Sequence, residues 1–245
     1  MFIAANWKMN LDKKSIQSFV EHLQSYKFSK NVQLCIFPPT IYIDFLSNLI
    51  RNIPISIGGQ NCHHQSFGAF TGEVSAISLK EFGCEYVILG HSERRIYNKE
   101  TNESIKKSVQ FAIEYNLRPI ICVGENLEQR ENGKAIDFIE KQITNCIPDE
   151  FKEIIIAYEP IWSIGTGKIP HQNEIREMHK NIKEIILLKS KKKVKVLYGG
   201  SVNEQNIQEI LSVNNVDGVL VGGASLKIKD LLAIYGSAVK HLEKN

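Results

Sequence analysis

The sequence lacks the features that mark membrane-spanning, disulfide-stapled and zinc-binding proteins. No stretch approaches the roughly 18 apolar residues that a membrane span requires. The five cysteines are odd in number, widely spread and without a CxxC pair, which argues against a disulfide framework and against a zinc site. Residues 1–10 are apolar too briefly for a secretory signal. We therefore expect a cytoplasmic protein with no membrane partner.

The sequence also lacks a concentrated positive charge. The formal net charge is +3, far from the basic stripe of a nucleic-acid-binding protein. The lysine-rich segment 189–195 raises that alternative, but lysines at the end of a predicted helix suit its dipole, so we interpret them as a solvated face. The adjacent His63 and His64 raise the alternative of a metal site, which the absence of a further ligand nearby disfavours. We expect no nucleic-acid partner and no bound metal.

What the sequence does contain is a regular alternation of short β-branched runs and amphipathic segments. Most of the runs are continuously apolar, as in strands that are buried on both faces. The eight predicted strands are Phe2–Ala5, Gln33–Phe37, Ile55–Gly58, Tyr86–Leu89, Pro119–Val123, Ile154–Tyr158, Val194–Tyr198 and Asp217–Val221. Helices are predicted between them by apolar stripes at helical spacing. Three such stripes are Ile16, Phe19, Val20 and Leu23; Ile136, Ile139, Ile143 and Ile147; and Ile175, Met178, Ile182, Ile185 and Ile186.

This alternation predicts an α/β fold, a (β/α)8 barrel of eight parallel strands inside an outer ring of helices. The predicted strands begin between 22 and 40 residues apart, which leaves one crossover helix per interval. No linker or change of composition divides the chain, so we predict a single domain over residues 1–245. A doubly wound open sheet is the alternative, but no GxGxxG follows the first strand to support it.

Chemically active residues occur just after several of the predicted strands. Lys8, His91 and Glu159 follow the first, fourth and sixth strands, and glycine pairs at 199–200 and 222–223 follow the last two. Taken singly, each has an ordinary explanation: a solvated lysine, a helix start, an ion pair or a tight turn. In a parallel barrel, however, all of these positions lie on one face, the face that carries active sites. Their joint occurrence favours a functional site.

The residue types at this face suit proton transfer next to a carbonyl group. Glu159 is placed to act as a general base, His91 to donate to a carbonyl oxygen, and Lys8 to stabilise the negative charge that develops there. The glycine pairs allow backbone N–H groups and a helix N-terminus to approach a phosphate. With no metal cluster and no nucleotide fingerprint, the pattern indicates cofactor-independent isomerisation of a phosphorylated substrate through an enediolate.

A glycine-bearing segment after the sixth strand is interpreted as a lid. An enediolate phosphate that is exposed to water can eliminate its phosphate, so a closing loop has a chemical purpose. Trp162 and Ile164 would give this lid apolar contact area when it shuts. The lid residues are Pro160, Ile161, Trp162, Ser163, Ile164, Gly165, Thr166, Gly167 and Lys168.

Several segments resemble the triosephosphate isomerase family, in the family's order and along the whole chain. They are Ala5-Asn6-Trp7-Lys8-Met9-Asn10, Gly68-Ala69-Phe70-Thr71-Gly72-Glu73-Val74-Ser75, Leu89-Gly90-His91-Ser92-Glu93-Arg94-Arg95, Cys122-Val123-Gly124-Glu125, Ala157-Tyr158-Glu159-Pro160-Ile161-Trp162, Ile164-Gly165-Thr166-Gly167-Lys168, Tyr198-Gly199-Gly200-Ser201 and Val221-Gly222-Gly223-Ala224-Ser225-Leu226. The resemblance implies a TIM barrel that interconverts dihydroxyacetone phosphate and D-glyceraldehyde 3-phosphate, in glycolysis and gluconeogenesis. It implies no cofactor.

The resemblance also implies roles for individual residues. Enzymes of this family are a standard example of catalysis by a Glu base together with a neutral His electrophile. The resemblance implies that Glu159 is the base and that His91 is the electrophile. Lys8, positioned by Asn6, would be the cation at the substrate oxygen. Supporting contacts are implied for Glu93 and Cys122, and phosphate binding for backbone groups around Gly165, Ser201, Gly222 and Gly223.

The segment Gly68–Ser75 resembles the family's protruding interdigitating loop. It implies a homodimer in which Thr71 reaches the active site of the partner subunit. Two departures from the family pattern concern the lid, namely Ser163 where alanine is common and Ile169-Pro170 in place of small hinge residues. Because proline fixes φ and restricts the preceding residue, we predict altered lid kinetics without loss of the chemistry.

Two other functions remain open at the level of sequence. A non-catalytic barrel that binds a phosphorylated ligand would be expected to lose Glu159, His91 or Lys8, and all three are present. Another phosphosugar isomerase on the same barrel is the second alternative. The lid from Trp162 to Lys168 resembles this family and disfavours it, and a panel of substrates would decide.

Overall fold

A computed structural model describes residues 1–164 and 170–244 of the chain. The predicted (β/α)8 barrel is confirmed, because eight parallel strands pair in chain order and the last closes against the first. The strands are β1 (Phe2–Asn6), β2 (Gln33–Phe37), β3 (Ser56–Gly59), β4 (Tyr86–Leu89), β5 (Arg118–Val123), β6 (Ile155–Tyr158), β7 (Lys195–Tyr198) and β8 (Gly218–Val221). Their carboxyl ends meet on one face of the barrel.

Helices cover the outside of the barrel. The α-helices among the described residues are α1 (Lys13–Gln24), α2 (Ile43–Leu49), α3 (Ala76–Glu81), α4 (Ser92–Tyr97), α5 (Asn102–Glu114), α6 (Leu127–Glu131), α7 (Ala135–Cys146), α8 (Gln172–Ser190), α9 (Ile207–Ser212) and α10 (Ile228–Lys244). Short 3-10 helices span Thr40–Tyr42, Ile161–Ser163 and Gly223–Leu226. None of the helices found in these residues combines the length and the apolar character needed to cross a membrane.

The helix starts follow local sequence signals. Asp12 caps α1 by accepting a hydrogen bond from the backbone N–H of Ser15. Thr101 and Ser104 form a reciprocal capping box at the start of α5. These side chains satisfy backbone donors that the first turn of a helix leaves without partners, so they define where each helix begins.

The apolar core has two layers. Inside the barrel, side chains from neighbouring strands fill the interior, so the barrel is a packed core and no pore. This inner cluster contains Phe2, Ala4, Cys35, Phe37, Tyr86, Ile88, Ile120, Cys122, Ile155, Ala157, Leu197 and Leu220. The larger cluster lies between the outer face of the strands and the helices, and includes all four residues of the predicted α1 stripe.

One predicted stripe is partly wrong. Ile136 is 45% exposed, whereas Ile139, Ile143 and Ile147 are buried as expected. The buried face of α7 instead runs through Ala135, which lies next to Ile139 one turn along the helix. Because adjacent helical residues point about 100° apart, a face centred on residues 135 and 139 turns residue 136 toward solvent.

Candidate active site

Residues from five strand ends line one cavity at the carboxyl face of the barrel. Its volume is ≈ 230 Å³, and it is bordered by the start of the predicted lid at Ile164. The predicted site residues that line it are Asn6, Lys8, His91, Glu159, Ser201, Gly222 and Gly223. The structure therefore brings together residues that lie as much as two hundred positions apart in the chain.

The cavity of ≈ 230 Å³ has a larger neighbour of ≈ 380 Å³, which lies beside His63, His64 and Arg94. Size does not identify the site, because the larger cavity holds neither Lys8 nor Glu159. The smaller cavity is the candidate active site, since it combines a carboxylate, an imidazole and an ammonium group with the glycine-bearing loops.

Glu159 follows β6 directly, and its carboxylate is buried with two close neighbours. Oε2 accepts a hydrogen bond from the backbone N–H of Ser92 at 2.9 Å, and Oε1 lies 3.0 Å from Nε2 of His91. The backbone of Glu159 rests on Gly124, where a Cβ atom would lie 1.7 Å from the Glu159 carbonyl oxygen. A glycine is therefore required beside the carboxylate-bearing residue.

His91 forms the N-cap of α4, and its ring is buried. Nδ1 accepts a hydrogen bond from the backbone N–H of Glu93 at 3.2 Å. A ring nitrogen that accepts a hydrogen bond carries no proton there, which assigns the ring's donor proton to Nε2. That proton faces Oε1 of Glu159 and the cavity. The geometry therefore supplies a hydrogen-bond donor at the cavity.

Lys8 is held in an unusual backbone conformation beyond the end of β1. Its φ is 51°, in the left-handed region that non-glycine residues adopt uncommonly. The backbone N–H of Lys8 donates to Oδ1 of Asn6 at 3.0 Å, and its carbonyl accepts from Nε2 of Gln60 at 2.8 Å. The ammonium group pairs with Oε1 of Glu93. Asn6 and Gln60 thus stabilise the backbone turn that aims this cation at the cavity.

The glycine-bearing loops after β7 and β8 line the cavity beside Glu159 and Lys8. Gly222 precedes the 3-10 helix Gly223–Leu226, and a Cβ atom at Gly222 would lie 3.3 Å from Cε of Lys8. The hydroxyl of Ser201 donates to the carbonyl of Ser163 at 2.7 Å, which links the loop after β7 to the start of the lid. Backbone groups can approach a ligand closely at these positions.

The first part of the predicted lid is anchored on Glu125, which is fully buried. Nε1 of Trp162 donates to Oε1 of Glu125 at 3.0 Å, and the backbone N–H of Ile161 donates to its carbonyl at 3.0 Å. Pro160 and Ser163 are buried, and Ile164 lines the cavity. The remaining lid residues, Gly165, Thr166, Gly167 and Lys168, lie outside the described residues, as does Ile169.

Glu93 and Cys122, for which the family resemblance implies supporting contacts, occupy different environments. Glu93 is partly exposed and contacts the catalytic candidate Lys8 directly. Cys122 is fully buried in the barrel interior, where burial raises the pKa of its thiol well above the usual value and the charge of Glu159 raises it further. Cys122 therefore remains a neutral thiol beneath Glu159.

The remaining candidates lie outside the cavity. Thr71 is exposed on a loop that turns at Gly68 and Gly72, both at positive φ. The rings of His63 and His64 stack with their centroids 4.4 Å apart. Within residues 1–164 and 170–244, no group of three or more His, Cys, Asp or Glu side chains is arranged to hold a metal ion.

Three contributors to the site were missed in the sequence. Gln60 supports Lys8, the backbone of Ser92 holds Glu159, and Gly124 makes room for the Glu159 backbone. Gln60 follows the third strand directly, so the same search past strand ends that found Lys8 could have found it. Backbone donors such as that of Ser92 leave no signal in the sequence.

Comparisons with known proteins agree on one family. A sequence model described as triosephosphate isomerase matches residues 1–238. The triosephosphate isomerase of Hydrogenovibrio crunogenus is 42% identical over 97% of this chain and 98% of the relative, and that of Dictyoglomus thermophilum is 45% identical over 92% and 94%. The crystal structure of triosephosphate isomerase from Bartonella henselae is similar with a TM-score of 0.87 and 36% identity, over 97% of this chain and 98% of that one. The chain belongs to the triosephosphate isomerase family.

Proposed function

We propose that Glu159, His91 and Lys8 carry out the interconversion of dihydroxyacetone phosphate and D-glyceraldehyde 3-phosphate through an enediolate. Family membership supplies the reaction, an aldose–ketose isomerisation that belongs to glycolysis and gluconeogenesis. The assignment of roles is carried by one observation: Nε2 of His91 and Oε1 of Glu159 lie 3.0 Å apart at the cavity that Lys8 also lines.

Glu159 is the proposed base that moves a proton between the two substrate carbons. Its carboxylate is buried and within reach of the cavity, and its neighbours are donors that it can exchange for substrate. A carboxylate in a site that excludes water needs little reorganisation to accept a proton from carbon. The same group returns a proton to the adjacent carbon. The hydroxyl proton must also pass from one substrate oxygen to the other, and His91 is the group proposed to relay it.

His91 and Lys8 are proposed to stabilise the oxygen on which negative charge develops. The neutral imidazole is proposed to donate from Nε2, and the Lys8 ammonium supplies a positive charge at the same cavity. Donors that are already oriented toward the developing charge lower the barrier without moving during the reaction. The chemistry consists of proton transfers alone, so we propose that no cofactor and no metal take part.

The phosphate group is proposed to bind at the glycine-bearing loops after β7 and β8. The described candidates there are Ser201, Gly222 and Gly223, and Gly165 of the lid is a further candidate outside the described residues. Backbone N–H groups at glycines approach phosphate oxygens without interference from a side chain. Lys8 adds positive charge next to Gly222. Residues 160–168 are proposed to close over the bound substrate and exclude water.

We also propose a homodimer in which Thr71 of the partner subunit approaches Lys8. A cavity of ≈ 320 Å³ beside Lys8 and Glu93 is lined on its outer side by Met9 and Tyr97, which are 93% and 78% exposed. Exposed apolar side chains around a cavity are typical of a surface that a partner covers. Thr71 is exposed on the segment that resembles the family's protruding loop, and we propose that this segment fills the cavity in a second copy, in an isologous contact.

All five cysteines are free and buried, which suits the reducing cytoplasm that we propose as the location.

The dimer proposal is tested by sedimentation of the wild-type protein and of Thr71→Arg. The larger charged side chain is expected to shift the protein toward monomers and to reduce turnover, because the partner's loop would no longer fit beside Lys8. A wild-type monomer with full activity would contradict the proposal.

The proposed reaction is tested by a coupled assay of glyceraldehyde 3-phosphate isomerisation without added metal or nucleotide. Wild type is compared with Glu159→Gln, which preserves the shape of the side chain and removes the base. We expect fast turnover in wild type and loss of about 10²-fold or more in the variant. Activity that survives the substitution would mean that another residue is the base. An inactive wild-type protein that still binds phosphoglycolate would favour the non-catalytic binding barrel.

A further inference from the structure

The guanidinium of Arg95 connects two strand ends that border the site. Arg95 lies in α4, and its Nε donates to the carbonyl of Gly90 at 2.8 Å. Its Nη2 donates to the carbonyl of Cys122 at 3.1 Å. The ladder between β4 and β5 ends with the pair Leu89 and Ile121. Arg95 therefore joins the two segments one residue beyond the last paired residues.

Both carbonyls belong to segments that position the catalytic candidates. Gly90 immediately precedes His91 and has a φ of 69°. The Gly90 peptide therefore sets the direction in which the His91 side chain projects from the end of β4. Cys122 precedes Val123, whose carbonyl accepts the backbone N–H of Glu159 at 2.8 Å. A shift of either segment would change the separation of the imidazole and the carboxylate.

The guanidinium is itself held in place by neutral groups. Nη1 donates to Oδ1 of Asn102 at 2.7 Å, and Nη2 lies 3.4 Å from Sγ of Cys146. In the described part of the chain, every hydrogen-bond partner of Arg95 is uncharged. Hydrogen bonds from a charged donor are shorter and stronger than those between neutral groups. The side chain therefore acts as a directional clamp, whereas Arg94 next to it forms an ion pair with Glu100.

The fit around Gly90 leaves little freedom. A Cβ atom at this position would lie 2.7 Å from Cδ1 of Ile105 and 3.1 Å from Nη2 of Arg95. The peptide is thus enclosed by the guanidinium on one side and by an apolar side chain of α5 on the other. Enclosure of this kind restricts the segment to one position.

We propose that Arg95 is a positioning residue for the isomerisation, which fixes His91 relative to Glu159 by tying the carbonyl of Gly90 to that of Cys122. The inference rests on the proposed roles of His91 and Glu159. Arg95 contacts neither the cavity nor the reacting atoms, so it acts on the rate through the geometry of the other two residues.

The test compares Arg95→Met and Arg95→Lys with a control at the other end of the same strands. Arg95→Met removes all donors at similar length, and Arg95→Lys keeps the charge but lacks the planar fork that reaches two carbonyls. The control is Arg118→Met. Arg118 begins β5 and its Nη1 donates to the hydroxyl of Tyr86 in β4 at 2.7 Å, away from the site. For each variant, kcat, KM and the thermal midpoint are measured.

We expect kcat to fall about tenfold or more in both Arg95 variants, with little change in KM, since misplacement of reacting groups by a fraction of an ångström is costly. A further variant, Arg95→Ala, leaves space for a guanidinium ion, and adding this ion is expected to restore part of the lost kcat. Arg118→Met is expected to lower the thermal midpoint and leave kcat unchanged.

Wild-type kcat in Arg95→Lys, or an equal loss of kcat in Arg118→Met, would overturn the inference. If Arg95→Met fails to fold, Arg95→Lys decides. Full activity of His91→Gln and Glu159→Gln would instead overturn the proposed roles themselves.

Discussion

Nε2 of His91 and Oε1 of Glu159 lie 3.0 Å apart, so the proposed acid and the proposed base are within hydrogen-bond distance of each other. The second carboxylate oxygen accepts from the backbone N–H of Ser92. For the proposed base to take a proton, a substrate carbon must come within reach of Oε1, beside His91. The length of the Glu159 side chain therefore sets how close the carboxylate lies to that carbon.

Shortening this side chain tests that relationship. In Glu159→Asp the carboxylate retracts by one methylene, and we expect kcat to fall about 10²-fold while KM changes little, because the charge is retained but its distance from carbon is not. Steady-state kinetics with both triose phosphates measure the effect. Turnover at the wild-type rate in Glu159→Asp would show that the reach of the carboxylate does not limit the reaction.

Gly124 is predicted to be irreplaceable because the Glu159 backbone lies against it. In Gly124→Ala the new Cβ would have to lie 1.7 Å from the Glu159 carbonyl oxygen, so the two segments must separate. We expect a loss of about 3 kcal/mol or more in the free energy of unfolding, as for other core overpacking, together with reduced kcat. Urea denaturation and the coupled assay measure the two effects.

Gly236→Ala is the control for this substitution. Gly236 lies in α10, where the nearest atom to a new Cβ is the hydroxyl oxygen of Tyr26 at an ordinary 3.6 Å. Since alanine favours helices over glycine by about 1 kcal/mol, this variant is expected to be as stable as wild type or more stable, with unchanged kcat. Equal stability of Gly124→Ala and Gly236→Ala would contradict the close contact.

The fold was predictable because the strands of a parallel barrel are buried on both faces, so each strand appears in the sequence as a continuous run of apolar residues. The predicted strand ends lie within one residue of the observed ends. Two differences arise at the polar residues Asn6 and Arg118, which pair in the ladder although they interrupt the apolar pattern. Others arise at strand starts, where the predicted first residues Ile55, Ile154, Val194 and Asp217 lie just before the observed strands. The wrong assignment of Ile136 has a similar cause, since spacing defines a helical face only to within about one residue.

The site was predictable in part, because the carboxyl ends of parallel strands share one face. That rule led to Lys8, His91 and Glu159, which the structure places around one cavity. The supports of these residues could not be predicted in the same way. Arg95 bonds to backbone carbonyls, one of them 27 residues away, and no residue type marks such an acceptor in the sequence. The left-handed conformation of Lys8 likewise depends on Gln60, which is distant in the chain.

Pro170 is predicted to slow the motion of the lid. It is buried between the lid and α8, and its ring fixes φ while restricting the preceding residue. In Pro170→Ala we expect faster lid exchange, with kcat/KM within about threefold of wild type because no proposed catalytic group changes. Labelling with 5-fluorotryptophan gives a reporter in the lid at Trp162, and Trp162→Phe assigns its NMR signal. Unchanged lid exchange and turnover in Pro170→Ala would show that the proline does not limit the hinge.

His179 is predicted to make the protein sensitive to acid. It is fully buried in α8, and burial lowers the pKa of its imidazole from 6.5 to about 3, against a raising contribution from the carbonyl of Asn215. Below its ordinary pKa the unfolded chain binds a proton that the folded protein does not. Stability therefore falls as the pH drops from about 6.5 to about 3, with a slope that approaches about 1.4 kcal/mol per pH unit from this residue.

The variant His179→Gln isolates this contribution, because glutamine does not titrate. We expect it to be less stable than wild type at neutral pH, through lost packing and a lost contact with Asn215, but to lose stability less steeply toward acid. Urea denaturation at a fixed protein concentration over a pH series measures the slope. His22→Gln is the control, since His22 is exposed and its removal is expected to leave the slope unchanged. If His179→Gln and wild type lose stability in parallel as the pH falls, the acid sensitivity is caused by protons that bind elsewhere and the prediction is wrong.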